Sequence, residues 1–124
     1  MDRHDESTRL YEEARSRMAA GDMTKAISLF QQSVSLYPHF KSLELLGECL
    51  LELERFSEAV VPLAAATALN RQVRAPGLLA QAFLRLGDRS KAREFAKLAL
   101  SREPNFHMAK EVLLETEDVE EAQD

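Results

Sequence analysis

The chain is poor in the residues that interrupt helices and in those that crosslink or rigidify a fold. Its 124 residues contain no Trp, one Cys, four Gly and four Pro. The single Cys49 cannot form an internal disulfide, which is typical of a reducing compartment, and we predict a cytoplasmic location. Hydrophobic residues make up 45% of the sequence and strand-like alternation is rare, so one all-α domain is favoured.

Long apolar segments are also missing. The longest run, Val60 to Leu69, is about half of a membrane span and contains Pro62. The N-terminal segment is too charged to resemble a secretion signal. We therefore expect no membrane insertion.

Clusters that could support catalysis are hard to find. There is no Gly-rich loop, and His4, His39 and His107 are far apart in the sequence. Cys49 lies in a segment of helical apolar spacing, which predicts a buried thiol rather than a nucleophile. We predict a protein that is not an enzyme and that has no cofactor and no metal site.

Charge argues against nucleic acid as a partner. The sequence pI is about 5.3, and the basic residues are not interleaved with aromatic residues that stack on bases. Residues 70–110 nevertheless carry nine Arg or Lys against three acidic residues, while residues 115–124 hold six acidic residues and no basic one. One hypothesis is that this acidic tail docks on the basic segment.

The sequence repeats with a period of 33 residues. The interval separates Ala26 from Ala59 and Ala59 from Ala92. It also relates Ala14, Gly47 and Ala80, and the hydroxyl residues Thr24, Ser57 and Ser90. A fixed period of this length predicts stacked supersecondary units, in which the small residues allow close helix contacts.

Each period contains signals for two helices. Leu43, Leu46 and Leu50 lie on one helical face in the second unit. Gly21 and Gly87 are placed to end the first helix of their units in a left-handed conformation. Thr24, Ser57 and Ser90 are then predicted to cap the second helices. Pro62 predicts a kink in the helix that contains it.

At these positions the chain resembles the tetratricopeptide repeat, whose pattern combines W-x2-L-G-x2-Y, A-x3-F and a closing proline. The second unit has Leu43, Leu46, Gly47 and Leu50, followed by Ala59 and Leu63. The resemblance implies an α-solenoid of three antiparallel helix pairs at residues 7–39, 40–72 and 73–105, with a capping helix at 106–118. Residues 1–6 are predicted to be flexible and residues 119–124 disordered. Ankyrin repeats share the period, but no T-P-L-H segment occurs.

The resemblance implies a protein-binding adaptor whose first helices line a concave groove for a peptide or protein ligand. The alternative is a structural assembly subunit that self-associates or stacks in a larger complex through its terminal repeat or helix. We expect a monomer or a weak homo-oligomer. By repeat position the predicted groove residues are Thr8, Tyr11, Arg15, Met18, Lys41, Glu44, Glu48, Leu51, Arg74, Gln81, Leu84, Arg85, His107 and Lys110.

One ligand class is predicted to be disfavoured. Chaperone-binding members of this family grip a C-terminal carboxylate with basic residues and two asparagines. The matching positions here are Tyr11, Arg15, Leu45, Arg74 and Leu78. Because only Arg74 keeps the expected charge, we expect heat-shock chaperone C-termini to be poor ligands.

Overall fold

Seven α-helices follow one another along the chain in a computed structural model. The model describes the backbone of residues 2–123 and the side chains as far as residue 117, and this part of the chain contains no strand. The helices are α1 (Arg3–Ala19), α2 (Met23–Leu36), α3 (Phe40–Glu52), α4 (Phe56–Leu69), α5 (Arg74–Arg85), α6 (Arg89–Arg102) and α7 (His107–Gln123). The predicted all-α solenoid of helical repeats is confirmed.

The helices pair and stack in sequence order. The tightest contacts join α1 with α2, α3 with α4, and α5 with α6, and each pair then packs on the next. In addition, α5 contacts both α3 and α7, which places the first helices of successive units side by side. These three helices therefore form one continuous face.

The small residues of the 33-residue period lie where helices pack. Five of them, namely Ala14, Ala26, Ala59, Ala80 and Ala92, are completely buried. The sixth, Gly47, is buried in α3 against Leu63 of α4. Small side chains at these places allow the paired helices to approach closely.

The turns between paired helices have the predicted left-handed residues. Gly21 has a φ of +83° and Gly87 a φ of +85°, which costs glycine little because it has no Cβ. Glu54 adopts the same region in the second unit, with a φ of 59°. The turn geometry thus repeats even where glycine does not.

The predicted caps Thr24, Ser57 and Ser90 are wrong, because the second helices begin earlier. Asp22 Oδ1 accepts a hydrogen bond from the Lys25 amide at 3.1 Å. Asp88 Oδ1 accepts one from the Lys91 amide at 3.0 Å. In the second unit Arg55 holds the cap position without a side-chain hydrogen bond. The hydroxyl residues instead lie inside the first turn.

Helix α1 begins at Arg3, within the segment 1–6 that was predicted to be flexible. The flexibility of that segment stays a prediction. Asp2 Oδ1 caps this helix by accepting from the Asp5 amide at 2.8 Å. The Arg3 guanidinium donates to the carbonyl oxygens of Leu36 at 3.3 Å and Ser35 at 3.4 Å. Capping and these contacts with the end of α2 extend the helix toward the N-terminus.

The ends of the later helices also differ from the simple repeat pattern. The second unit lacks a closing proline, and Arg102 Nη1 instead donates to the carbonyl oxygens of Asn70 at 3.2 Å and Gln72 at 2.9 Å. Pro62 lies inside α4, and its kink stays a prediction. The docking of the acidic tail, residues 115–124, and the disorder of residues 119–124 stay predictions, because the side chains are described only as far as residue 117.

Candidate peptide-binding groove

A groove of about 450 Å³ opens between α3, α5 and α7. It exists because α5 packs between α3 and α7, so the outward faces of three helices meet there. The lining consists of Glu48, Leu51, Glu52, Phe56, Arg74, Leu78, Gln81, Leu84, Arg85, Met108, Glu111, Val112 and Glu115. Apolar side chains and charged groups of both signs therefore share one surface.

Gly77 of α5 sets how closely the start of α7 approaches. A Cβ at this position would lie 2.5 Å from Phe106 Cε2 and 3.2 Å from Met108 Sδ. Only a residue without a side chain leaves that space free. The close approach brings Met108 to the groove.

Both arginines of the groove have partners within the fold. Arg74 Nη2 donates to Glu48 Oε1 at 2.5 Å, across the contact between α5 and α3. This hydrogen bond and the charges of Glu48 and Glu44 raise the pKa of Arg74 above its usual value. Arg85 lies 4.8 Å over the ring centroid of Phe56 and 3.5 Å from Glu54 Oε1. The positive charges of the lining are thus largely balanced by its own chain.

The carboxylates of the groove outnumber its cations. The lining contains four glutamates and two arginines. Glu111 Oε1 lies 2.8 Å from Nε2 of His107. Glu52 and Glu115 are exposed and make no ion pair or hydrogen bond within the part of the chain whose side chains are described. The rim of the groove is therefore negative.

A second, smaller pocket of about 320 Å³ lies between α1 and the start of α3. Its lining includes the aromatic residues Tyr11, Tyr37 and Phe40, together with His4 and Lys41. The His4 and Tyr37 rings meet edge to face, with 4.8 Å between their centroids. This aromatic pocket continues the concave face toward the N-terminus.

Glu44 was predicted to face a ligand, but it is buried. Its side chain is 1% exposed, and Oε2 accepts from Lys41 Nζ at 2.8 Å. A ligand therefore cannot meet Glu44 directly. The carboxylate instead positions the ammonium group of Lys41, which lines the aromatic pocket.

Most of the other predicted groove residues lie in one of the two pockets. The groove contains Glu48, Leu51, Arg74, Gln81, Leu84 and Arg85, and the aromatic pocket contains Thr8, Tyr11 and Lys41. Met18 packs against the core, and Arg15 lies over the ring of Tyr11 with its Cζ 5.7 Å from the centroid. His107 and Lys110 are exposed on α7. Ligand contact by any of these residues stays a prediction.

On α7 the two residues predicted from the sequence lie beside the face that lines the groove. The residues that line the groove are Met108, Glu111, Val112 and Glu115, which recur at helical spacing, whereas His107 and Lys110 do not line it. The buried stripe through Ala109 and Val112 was visible in the sequence. Which residues next to that stripe line the groove follows from the packing of α7 on α5. The 33-residue period does not predict it.

The chemistry of the remaining candidates fits a structural role. Cys49 is fully buried, and burial together with the charges of Glu48 and Glu52 raises its pKa to about 11. A thiol of this kind is a poor nucleophile at neutral pH. Among the described residues no group of three or more His, Cys, Asp or Glu is arranged to hold a metal ion. Nor does any described helix combine the length and the apolar character needed to cross a membrane.

The family is shown by direct matches. A family model described as Tetratricopeptide repeat matches residues 11–72, and a second model with the same description matches residues 74–106. The chain therefore belongs to the tetratricopeptide repeat family. Comparison with curated proteins finds no match.

Several solved structures share the fold. The first TPR of Spaghetti (RPAP3) bound to HSP90 peptide SRMEEVD is similar with a TM-score of 0.87 and 20% identity, over 94% of each chain. The Sgt2 TPR domain from Aspergillus fumigatus gives a TM-score of 0.84 and 25% identity, over 95% of this chain and 82% of that one. The second TPR domain of human RPAP3 in complex with HSP70 peptide SGPTIEEVD gives 0.87 and 16%, over 93% and 98%.

These structures overturn the expectation that chaperone C-termini are disfavoured. Two domains with this fold carry HSP90 and HSP70 peptides, at 20% and 16% identity to this chain. The expectation was wrong because it compared only five positions, whereas domains of this fold carry such peptides at 20% and 16% overall identity to this chain.

Proposed function

We propose that this protein is a non-catalytic adaptor that binds a polypeptide ligand in the groove between α3, α5 and α7. The observation that carries the proposal is the groove itself, where an apolar floor lies beside charged groups on three packed helices. Peptide recognition requires this combination, because apolar area gives affinity and placed charges give selectivity. The buried, unpaired Cys49 fits a reducing cytoplasm.

A photocrosslinking experiment tests the proposal on the folded protein. Gln81 lines the groove and is replaced with a photoreactive phenylalanine derivative, while Lys97 on α6 receives the same group as the matched control. We expect crosslinked polypeptide partners from the Gln81 variant that are absent from the Lys97 variant. Equal or stronger crosslinking from Lys97 would contradict the groove as the binding surface.

Defined peptides give a second arm of the same test. The peptides SRMEEVD and SGPTIEEVD occupy domains of the same fold, so they are suitable probes. If either one binds this groove, it should compete with crosslinking at Gln81 and leave the Lys97 control unchanged. Loss of crosslinking in both variants would indicate a nonspecific effect.

Self-association through the last helix is a second candidate function. Leu114 of α7 is 58% exposed, and α7 is the end of the stack among the described residues. An exposed leucine on the last helix of the stack offers an apolar contact between two copies. Light scattering over a concentration series should show a larger species that Leu114→Gln removes. A persistent monomer would exclude this candidate.

A further inference from the structure

We propose that the groove between α3, α5 and α7 selects a segment of a partner protein in which Arg or Lys residues alternate with apolar residues. This inference rests on the proposed function and adds the chemistry of the ligand. The occupant follows from three properties of the groove: an apolar floor, arginines that are already paired, and unpaired glutamates on both flanking helices.

The floor requires an apolar side on the ligand. Leu78 and Val112 are buried, and Leu84, Met108 and Leu51 are half-buried around them. These side chains lie on all three helices of the groove. Covering them with apolar ligand atoms removes hydrophobic surface from water, which provides binding energy without selecting charge.

The arginines offer little to an acidic ligand. Arg74 already donates to Glu48, and Arg85 lies between the Phe56 ring and Glu54. An acidic ligand residue would have to compete with Glu48 or Glu54 for these guanidinium groups. Competition of that kind reduces the net gain from a new ion pair.

The glutamates, in contrast, are available to a basic residue. Glu52 ends α3 and Glu115 lies on α7, on opposite sides of α5, and neither has an ionic partner among the described side chains. Glu48 and Glu111 also line the groove, but they already contact Arg74 and His107. A ligand Arg or Lys at the rim would therefore gain charge-assisted hydrogen bonds without breaking an existing pair.

Three pools of 12-residue peptides test this inference. All pools have the same Leu and Phe content, and their remaining positions carry Arg, Gln or Glu. Binding is measured by fluorescence anisotropy, and amide shifts of Leu78 and Gln81 report whether the groove is occupied. We expect the Arg pool to bind about tenfold more tightly than the Gln pool.

A charge-neutral variant gives the control. The double variant Glu52→Gln, Glu115→Gln should lose most of the preference for the Arg pool over the Gln pool. The double variant Glu94→Gln, Glu103→Gln removes the same charge from exposed residues of the third unit outside the groove lining. We expect it to behave as the wild type, apart from a small loss common to all basic ligands.

The outcomes separate the inference from the proposed function. If the Gln pool or the Glu pool shifts the groove amides more strongly than the Arg pool, the inference on charge is wrong and the groove remains a binding site. If the preference for Arg is equal in both double variants, the inference is also wrong. If no pool and neither chaperone peptide shifts these amides, the proposed function fails as well.

Discussion

Leu63 of α4 occupies the space that a side chain at Gly47 of α3 would need. An ideal Cβ at position 47 would lie 2.4 Å from both Cγ and Cδ2 of Leu63. Since Leu63 is completely buried, it has little freedom to move away. This contact fixes the closest approach of the two helices in the second unit.

We predict that Gly47→Ala destabilises the protein by about 1–3 kcal/mol through overpacking against Leu63. Helix propensity alone predicts the opposite sign, because Ala inside a helix is favoured over Gly by roughly 0.5–1 kcal/mol. The free energy of unfolding of Gly47→Ala, measured with urea, distinguishes these two expectations. The Leu63→Ala change should cost less in the Gly47→Ala background than in the wild type, and additivity of the two changes would argue against the contact.

Paired alanine variants test whether Asp22 or Thr24 caps α2. Asp22→Ala removes the acceptor for the Lys25 amide and should cost about 1 kcal/mol. Thr24→Ala should be neutral or slightly stabilising, because Thr24 lies within the first turn and Ala has the higher helix propensity. Thermal unfolding of both variants provides the measurement. A larger loss from Thr24→Ala would restore the hydroxyl residue as the cap.

The buried thiol should make stability depend on pH in the alkaline range. The pKa of Cys49 is raised from 9.0 to about 11 in the folded protein, so the folded state disfavours the thiolate. The stability that the neutral, buried thiol contributes is fully present below pH 9. It is lost as pH rises from 9 toward 11, because Cys49 ionises at a lower pH in the unfolded chain than in the folded protein.

The measurement is the free energy of unfolding at pH 8 and pH 10.5. We expect the loss of stability between these values to be smaller in Cys49→Ala than in the wild type, since the variant has no thiol to titrate. Other groups that titrate in this range contribute equally to both proteins. Identical pH dependence would contradict the raised pKa.

The ion pair between Glu48 and Arg74 should matter little for stability. Arg74 is 44% exposed, so water and salt screen the interaction. A double-mutant cycle with Glu48→Gln and Arg74→Gln should give a coupling of about 0.2–1 kcal/mol that decreases at high salt. A coupling that is larger and independent of salt would indicate a pair shielded from solvent.

The sequence was sufficient for the fold because the repeated features are local. The 33-residue spacing of Ala26, Ala59 and Ala92 recurs wherever paired helices cross, and the left-handed turns follow Gly21 and Gly87. The cap was ambiguous for a physical reason. Asp22 and Thr24 can both accept from a helix amide, and the position at which the turn ends decides between them.

The groove was less predictable because it depends on contacts between units. Glu44 has the repeat position of a groove residue, yet it is buried and pairs with Lys41. Gly77 leaves the space that Phe106 and Met108 occupy, and the first two units have Tyr11 and Glu44 instead of glycine at the same repeat position. Such features arise from tertiary packing and leave no periodic signal.

Hydrogen–deuterium exchange with the partner captured through Gln81 tests the central claim most directly. We expect protection on binding in α3, α5 and the first turns of α7, with little change in α4 and α6. Resolution at the level of whole helices is sufficient, because the groove helices and the remaining helices alternate along the chain. Protection confined to α4 and α6 would contradict the concave groove as the site of recognition.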